Sequence, residues 1–430
     1  MKFFKKHIVG NDIFSVLRIK PFSYMMLSEF FSQLAFNMQH FVLIFIIYAL
    51  THSNTAVSGI ILSFTIPAIM FSLITGVYVD RWSKKAVLYY TNLFRGILLL
   101  PFLIPNLHIG FIYTLTFLIA VATQFFLPAE SAIIPNLVPQ KLILPANAIF
   151  SLGIYGTILT GYILAGPILL ILGKTYTIIL LAMLFFISTF FIMAIKIKDK
   201  TSSKTHLTAS LASVSIMKEI KEIFSFIKHT KKVMHGLILL TIAQAVIFMF
   251  AVLGPGYVST VLDVQIESLS WILIAPAAIG MAFGAILLGS IGKKFKSKTL
   301  GVMGFIVGGL TFILFPFGRR VTSYEFVHSL NSFLPHVFDI TILHIVVVLA
   351  FMVGFSISLI FIPSNATIQT ETNDAMRGRI YGFLNALVGA VSFLPVAIAG
   401  GLADLLGVGT VITAVGILMI IISGFIFVFE

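Results

Sequence analysis

Residues 76–85, GVYVDRWSKK, form a short charged turn between two long apolar stretches. A second basic turn, GSIGKKFKSK at 289–298, also separates two apolar stretches. FLPAESAIIPNLVPQKL at 126–142 and FIPSNATIQTETNDAMR at 361–377 are a second related pair, since each ends an apolar stretch with proline, small residues and a polar connector. The members of each pair lie about half the chain length apart, which indicates a chain built from two similar halves.

The composition is that of a membrane protein. The 430 residues are 59% hydrophobic and 10% charged, whereas soluble domains are about half apolar and about a quarter charged. A helix needs about 20 mostly apolar residues to cross the hydrocarbon core, so there is room for about a dozen spans but not for large soluble domains. No cysteine is present, which excludes disulfides and thiolate metal sites.

Twelve apolar stretches predict twelve transmembrane helices in an all-α membrane protein. They lie near residues 22–50, 57–79, 86–105, 109–134, 146–171, 175–195, 234–260, 267–291, 299–317, 340–363, 379–402 and 408–428. We therefore predict two pseudo-symmetric six-helix bundles, residues 1–195 and 234–430. A linker at 196–233 joins them, and its latter part, MKEIKEIFSFIKHTKK, has the pattern of an interfacial amphipathic helix.

Basic residues are distributed unevenly between the two sides of this arrangement. With both termini inside, 24 of the 28 Lys and Arg residues lie in cytoplasmic segments, and the outer loops hold only Lys174, Arg319 and Arg320. Positive charge is retained in the cytoplasm, so we predict a multi-pass protein of the bacterial cytoplasmic membrane with both termini cytoplasmic. The net charge of +13 then reflects insertion and anionic lipid, not nucleic acid.

Span one carries a polar stripe. Glu29, Gln33, Asn37 and His40 follow at steps of four, four and three residues, which places them on one helix face. A carboxylate inside a membrane must face protein or water, so Glu29 is the candidate proton-linked or cation-recognising acid, with a structural acid as the alternative. His40 is either a proton relay, since histidine titrates near neutral pH, or a neutral hydrogen-bonding residue.

Other polar side chains lie in or near the spans. Arg95 and Glu130 have opposite charges at similar predicted depth, which predicts a structural ion pair, either direct or through Arg81; a proton-carrier role for Glu130 is the alternative. Four uncharged residues either line the same pathway as the span-one stripe or only hold helices together. These four are Gln124, Gln244, Asn365 and Asn385.

The first turn resembles the motif between spans two and three of the major facilitator superfamily, with Ser83 where that motif usually has Gly. The matching residues are Gly76, Asp80, Arg81, Lys84 and Lys85. The resemblance covers nearly the whole chain, because SEFFSQLAFNMQHFVLIFIIYAL, FFLPAESAIIPNLVP and RGRIYG are similar to the branch with macrolide-efflux proteins and the enterobactin exporter. It implies the major facilitator fold, with the halves rocking about a central site.

The resemblance also implies gating residues. It places Asp80 against the start of span eleven, near Arg377 to Ile380, as a latch in the outward-facing state. The alternative is that Asp80 only balances Arg81 and the other cytoplasmic positive charges. Arg377 and Arg379 either pair with Glu371, Asp374 or lipid phosphates or form a solvated loop. Gly153, Gly166 and Pro167 in part match an exporter signature of span five, with Gly161 displaced by one, so export-specific bending and ordinary helix packing both stay open.

The motifs of common enzymes are missing from the sequence. There is no GxxxxGK[ST] phosphate loop, no HExxH and no GxSxG, so we expect no enzymatic activity, no cofactor and no metal. An ion gradient then supplies the energy for transport. We expect a monomer that exports a small lipophilic or amphipathic compound by proton antiport and contacts membrane lipid. The alternatives are a lysophospholipid flippase of the same fold and a transport-silent membrane receptor or assembly partner.

The charge distribution predicts the topology directly. A reporter domain fused after Lys204 or Lys298 should be cytoplasmic, and one fused near Asn54 or Ser329 should lie outside. Paired phosphatase and fluorescent-protein fusions at these four sites measure this. A reversed pattern at any two sites would contradict the twelve-span topology.

Overall fold

The computed structural model describes residues 15–196, 222–292, 295–316, 331, 341–372 and 374–428. Within these ranges the chain is almost entirely helical and contains no strand. This agrees with the absence of water in the hydrocarbon core, where a helix satisfies its own backbone groups.

The helices of the first part of the chain begin and end close to the predicted spans. Two-residue connections join α1 to α2 and α2 to α3, and a 3₁₀ turn at Leu100–Leu103 extends α3. Their bounds are α1 Lys20–Thr51, α2 Asn54–Arg81, α3 Lys84–Leu99, α4 Ile109–Leu137, and a merged segment Ile143–Ala194 whose residues 143–172 form α5 and 174–194 form α6.

The remaining helices follow a short helix at residues 222–229. A π-helical turn at Tyr257–Val261 extends α7, and another at Ser270–Ile274 precedes α8. The bounds are α7 Lys231–Gly256, α8 Ala275–Ile291, α9 Ser297–Leu314, α10 Ile342–Glu371, α11 Asp374–Leu406 and α12 Val408–Val428.

Eleven helical segments of the described chain are long and apolar enough to cross a membrane, and one of them contains two spans. That segment, Gln140–Ala194, has 55 residues and would be about 80 Å long as one helix, more than twice the thickness of the hydrocarbon core. It bends at Gly173, whose φ of 70° and ψ of 173° are accessible only to glycine. The prediction of twelve transmembrane helices is therefore confirmed.

Several helices extend beyond the predicted spans, because hydropathy marks the hydrocarbon and not the helix ends. The largest difference is in α10, which continues through Pro363 to Glu371, eight residues past the predicted end. Proline is tolerated inside membrane helices when neighbouring groups compensate for its missing N–H. Polar side chains after Pro363 donate back to the same helix, Asn365 to the carbonyl of Phe361 and Thr367 to that of Pro363.

The packing divides the described chain into two compact units. Unit 1 comprises residues up to Leu43 and those from Ser63 to Thr205, while unit 2 comprises Ile44–Leu62 and the residues from His206 onwards. Residues 44–62, which are the end of α1 and the start of α2, therefore pack with the later helices although they belong to the first sequence repeat.

Each unit has its own apolar core. In unit 1, Phe126, Ile133 and Ile134 of α4 are buried together with Leu88 of α3 and Phe22 of α1. In unit 2, the helix at 222–229 buries Ile223 and Ile227 beside Ile368 of α10 and Ile380 of α11, whereas Phe224 stays 57% exposed. The predicted amphipathic face thus packs partly on protein; Ile220 lies outside the described residues.

The bend at Gly173 gives a prediction about stability. No atom lies within 4 Å of a Cβ placed there, so Gly173→Ala tests the backbone conformation alone and should lower the free energy of unfolding by about 1 to 3 kcal/mol. Gly156→Ala, in an open position inside α5, is the matched control and should leave stability unchanged or raise it. Thermal unfolding of the detergent-purified variants measures both; equal melting temperatures would contradict the assignment.

Candidate functional site

The four polar residues of span one all lie in α1 and share one face, as predicted. Glu29, Gln33 and Asn37 are buried in unit 1, and His40 is half-buried. Asn37 donates to the carbonyl of Gln33 at 2.8 Å, and a Cβ at Gly161 would lie only 2.7 Å from the Asn37 Cβ. Gly161 thus allows α5 to approach α1 closely beside the stripe, which favours the packing role of the span-five glycines.

His40 is held by its own helix and by aromatic rings. Its Nδ1 donates to the carbonyl of Phe36 at 2.9 Å, and its ring centroid lies 3.9 Å from that of Phe64. Both surroundings suit a neutral imidazole. The proton-relay role stays a prediction, and the geometry supports the hydrogen-bonding alternative.

Glu29 is the least satisfied residue of the stripe. It is 1% exposed, and neither carboxylate oxygen makes a well-directed hydrogen bond to any residue that the structure describes. The groups that act on it are the amide of Gln33, one turn away, and the guanidinium of Arg95. Its surroundings are apolar apart from the Gln33 amide and the buried Arg95 cation, so they can accommodate both the neutral and the ionised carboxyl group.

A buried hydrogen-bond network connects α1, α3 and α6 next to Glu29. Asn92 Oδ1 accepts from Ser32 Oγ at 2.9 Å and from Arg95 Nη2 at 2.5 Å, while Asn92 Nδ2 donates to Ser188 Oγ at 2.8 Å. Ser188 in turn donates to the carbonyl of Ser28 at 2.8 Å. All five residues are at most 1% exposed, so the network excludes water and depends on every member.

Among the side chains that the structure describes, no salt bridge joins Arg95 to Glu130, and the alternative of a pair through Arg81 stays a prediction. The guanidinium carbon of Arg95 lies 4.2 Å from the ring centroid of Phe126 and 4.8 Å from that of Phe185, and its polar contacts are to Ser32 and Asn92. The two aromatic faces and the network hold the cation in place of a carboxylate. Glu130 is buried on α4, and a contact through Arg81 lies outside the described side chains.

Unit 2 carries a separate group of uncharged polar residues. Asn365 of α10 accepts a hydrogen bond at Oδ1 from the Tyr381 hydroxyl of α11 at 2.9 Å, and Gln369 Nε2 lies 3.4 Å from the same hydroxyl. Asn385, one turn after Tyr381, is exposed, and Gln244 of α7 is half-buried. Exposed polar groups within a span face water and not lipid, which makes this face of α10 and α11 a candidate pathway surface. Gln124 of α4, in unit 1, is half-buried.

The predicted gating residues are described only in part. Ser83 caps α3 by accepting from the Ala86 N–H, which accounts for serine in place of the usual glycine. Lys85 Nζ donates to the carbonyls of Ile195 and Met193 at 2.6 and 3.1 Å and so caps α6, while Lys84 lies beside it in the first turn of α3. The side chains of Gly76, Asp80, Arg81 and Arg377 lie outside those that the structure describes.

Ion pairs connect the start of α11 and the end of α10 to neighbouring helices of unit 2. Arg379 pairs with Glu222 at 3.0 Å, and Lys232 pairs with Glu371 at 2.7 Å. The sequence suggested Glu371 or Asp374 as partners for the arginines. For Arg379 the structure adds Glu222, which the sequence could not indicate because it is far away along the chain.

None of the predicted site residues lines the cavity found between α3 and α4. This is an apolar groove of about 380 Å³ in unit 1, between Tyr90, Phe94 and Ile97 of α3 and Val121 and Phe125 of α4. Its walls are the apolar surface that a membrane helix presents to lipid. Within the described ranges, no three His, Asp or Glu side chains converge as metal ligands would.

Sequence reasoning missed several polar contacts. Asn92 was detectable, because it lies one turn before Arg95 on the same face of span three. Tyr381 and Asp404 had no local signal. Asp404, at the end of α11, accepts hydrogen bonds from the backbone N–H groups of Asn54 and Thr55 at 2.8 and 3.0 Å.

In a comparison with known protein families, the sequence matches one family model. Residues 25–394 match the family model of the Major Facilitator Superfamily. Two Bacillus subtilis (strain 168) proteins are similar, both described as uncharacterized MFS-type transporters. YvqJ is 24% identical over 368 residues, covering 83% of this chain and 79% of its own, and YfiS is 22% identical over 387 residues, covering 87% and 85%.

Solved transporters have the same fold. The nucleoside transporter NupG matches with a TM-score of 0.71 at 13% identity, over 96% of this chain and 100% of its own. A POT family transporter in complex with a thioalcohol-conjugated peptide matches with a TM-score of 0.69 at 14% identity, over 95% of each chain. At these identities the likeness extends to the fold and not to the substrate.

The network around Arg95 predicts a stability effect. Asn92→Ala removes partners of Ser32, Ser188 and Arg95 at once and should lower the free energy of unfolding by about 3 kcal/mol. Thr91→Ala, which loses only bonds to carbonyls of its own helix, is the control and should change it little. Thermal unfolding in detergent measures both. If the two variants melt at the same temperature, the network does not stabilise unit 1.

Proposed function

The chain belongs to the major facilitator superfamily, and we propose that this secondary transporter exports a small lipophilic or amphipathic compound in exchange for protons. The observation that carries the proposal is Glu29, a carboxyl group that is buried inside a membrane helix without a well-directed hydrogen bond to the described residues. Intramembrane acids of this kind mark ion pathways.

Glu29 suits proton exchange because its two protonation states have different costs. When neutral, the carboxyl group needs no counter-ion in its apolar surroundings, and when ionised it is stabilised by the buried cation of Arg95. Arg95 stays in place through the network and two aromatic rings, so it can serve as a counter-charge without leaving unit 1. A change of protonation at Glu29 then alters the forces between α1 and α3.

An ion gradient supplies the energy for transport in this proposal, because the sequence lacks a motif for ATP binding. The chain has no GxxxxGK[ST] loop that would bind a nucleoside triphosphate. The family resemblance to the macrolide-efflux and enterobactin-exporter branch supports export.

We infer the substrate class from the polar residues of unit 2. Asn365, Gln369, Tyr381 and Asn385 offer amide and hydroxyl groups but no charge, and they lie on otherwise apolar helices. Such a surface binds a largely apolar compound through a few hydrogen bonds. Gln33, Asn37 and His40 in unit 1, with Gln124 and Gln244, complete the proposed pathway residues.

The arrangement in the membrane is part of the proposal. We place both termini in the cytoplasm of a bacterial cell and treat residues 1–195 and 234–430 as halves joined by a linker at 196–233. The transporter acts as a monomer. Asp80 at the end of α2 latches the cytoplasmic side by facing the start of α11, where a helix N-terminus attracts negative charge. Gly76, Arg81, Lys84, Lys85, Arg377 and Arg379 shape the two sides of this latch.

Glu29→Gln tests the proton site, because glutamine keeps the size and hydrogen bonding of glutamate but cannot carry the proton. Proteoliposomes with an internal pH dye and an imposed pH gradient are challenged with ethidium, erythromycin or a lysophospholipid. We expect the wild type to move protons when the substrate is added, and Glu29→Gln to lose this movement while still binding a neutral substrate.

Glu130→Gln is the matched control, since it removes a second buried carboxyl group of unit 1. It should keep proton coupling; loss of coupling in Glu130→Gln but not in Glu29→Gln would move the carrier to Glu130. Lysophospholipid movement without protons, equal in all variants, would favour the flippase. No flux of any compound in the wild type would favour the transport-silent receptor.

A further inference from the structure

The end of α11 holds the start of α2 through a single carboxylate. Asp404 Oδ1 accepts from the Asn54 N–H at 2.8 Å and from the Asn54 Nδ2 at 3.0 Å. Asp404 Oδ2 accepts from the Thr55 N–H at 3.0 Å and from the hydroxyls of Ser53 and Thr55 at 2.6 and 2.7 Å. We call these four residues the Asp404 clamp.

The Asp404 clamp completes the N-terminal cap of α2. Residues next to the start of this helix satisfy only some of its first N–H groups. α2 begins at Asn54, and Ser53 Oγ accepts from the Ala56 N–H at 3.3 Å. The N–H groups of the first helical turn have no acceptor within the helix, so those of Asn54 and Thr55 need one from elsewhere. A carboxylate is the preferred partner at this end of a helix.

The surrounding packing is close. A Cβ at Gly400 of α11 would collide with the Asn54 carbonyl and with Ser58 Oγ, and a Cβ at Gly256 of α7 would collide with the Asn54 side chain. Ser58 donates to the Val396 carbonyl at 2.8 Å and is 2% exposed. The start of α2 therefore fits into a surface that only glycines at these positions allow.

This contact joins two parts of the chain that the sequence repeat separates. Residues 44–62 belong to the first repeat, yet they pack in unit 2, while the rest of α1 and α2 belongs to unit 1. A member of this superfamily changes access by moving one half against the other. Such a movement must either release residues 44–62 from unit 2 or bend α1 and α2 near residues 43 and 63.

We propose that Asp404 is a gating residue of the transport cycle, and that release of the Asp404 clamp opens the end of the protein opposite the basic loops. In the predicted orientation this is the outer end. Asp404 is exposed, so its hydrogen bonds can exchange with water when the helices part, which makes the contact reversible. The clamp is therefore formed in the state closed at that end and broken in the open state. This gate acts whatever the substrate or coupling ion is.

The experiment uses the absence of native cysteine, which leaves an introduced thiol as the only one. Ser58→Cys places a nearly isosteric thiol behind the clamp, and a membrane-impermeant sulfonated maleimide is applied separately to each face of oriented vesicles. In the Asp404→Asn background we expect labelling from the face opposite Lys84 and Lys85 to be about fivefold faster, the change that corresponds to a lost helix cap. Labelling from the other face should not rise.

Glu267→Gln is the matched control, because it removes the same charge from the connection between α7 and α8 at the same end of the unit. Its labelling rate should equal that of the parent. Equal rates in the Asp404→Asn background, or a rise only from the face with Lys84 and Lys85, would overturn the proposal and favour bending of α1 and α2.

A second variant keeps the test decisive if Asp404→Asn does not accumulate in the membrane. Thr55→Val keeps the carboxylate and the backbone bonds but removes one hydroxyl donor to Asp404. It should speed labelling of Ser58→Cys by a smaller factor, about twofold. An unchanged rate in Thr55→Val would then overturn the proposal.

Discussion

Every peptide group that enters the hydrocarbon core must find its hydrogen-bond partner within the protein, because lipid offers none. This constraint makes each span a helix and requires each polar side chain in a span to be satisfied by protein or water. The bend at Gly173 turns the chain sharply between α5 and α6, with a conformation that glycine adopts without strain. The same constraint explains why polar side chains within each unit form hydrogen bonds to one another.

Arg95 and Glu29, two of the buried charged residues of unit 1, meet this requirement differently. Arg95 is surrounded by hydrogen-bond acceptors and two aromatic faces, which stabilise its buried charge. Glu29 has no such shell, and in the proposed mechanism it is the group whose charge changes. In the proposal, a fixed cation beside an acid of variable charge couples a proton to the position of α1.

Sequence repeat and packing divide the chain at different places, and the difference is informative. By repeat, residues 44–62 belong to the first half; by packing they belong to unit 2, held by Asp404 and by contacts at Gly256 and Gly400. This segment is covalently continuous with one unit and packed in the other, so in the proposed gating movement it is the part that must detach or bend. Its hydrogen bonds join hydroxyl, amide and carboxylate groups. Water can replace each of these partners, so the proposed gate can break and re-form these bonds.

The sequence by itself determined that the chain crosses the membrane in helices, how many times it crosses and to which superfamily it belongs, because hydropathy, charge near helix ends and short turn motifs are local properties. It also placed Glu29, Gln33, Asn37 and His40 on one face of α1, since helical periodicity is local too. Only the tertiary structure decided that Arg95 contacts Asn92, Ser32 and two phenylalanines instead of Glu130, and that Asp404 caps α2. These choices depend on how each helix is rotated and which helices touch, which distant small residues such as Gly161 and Gly400 set by allowing close approach.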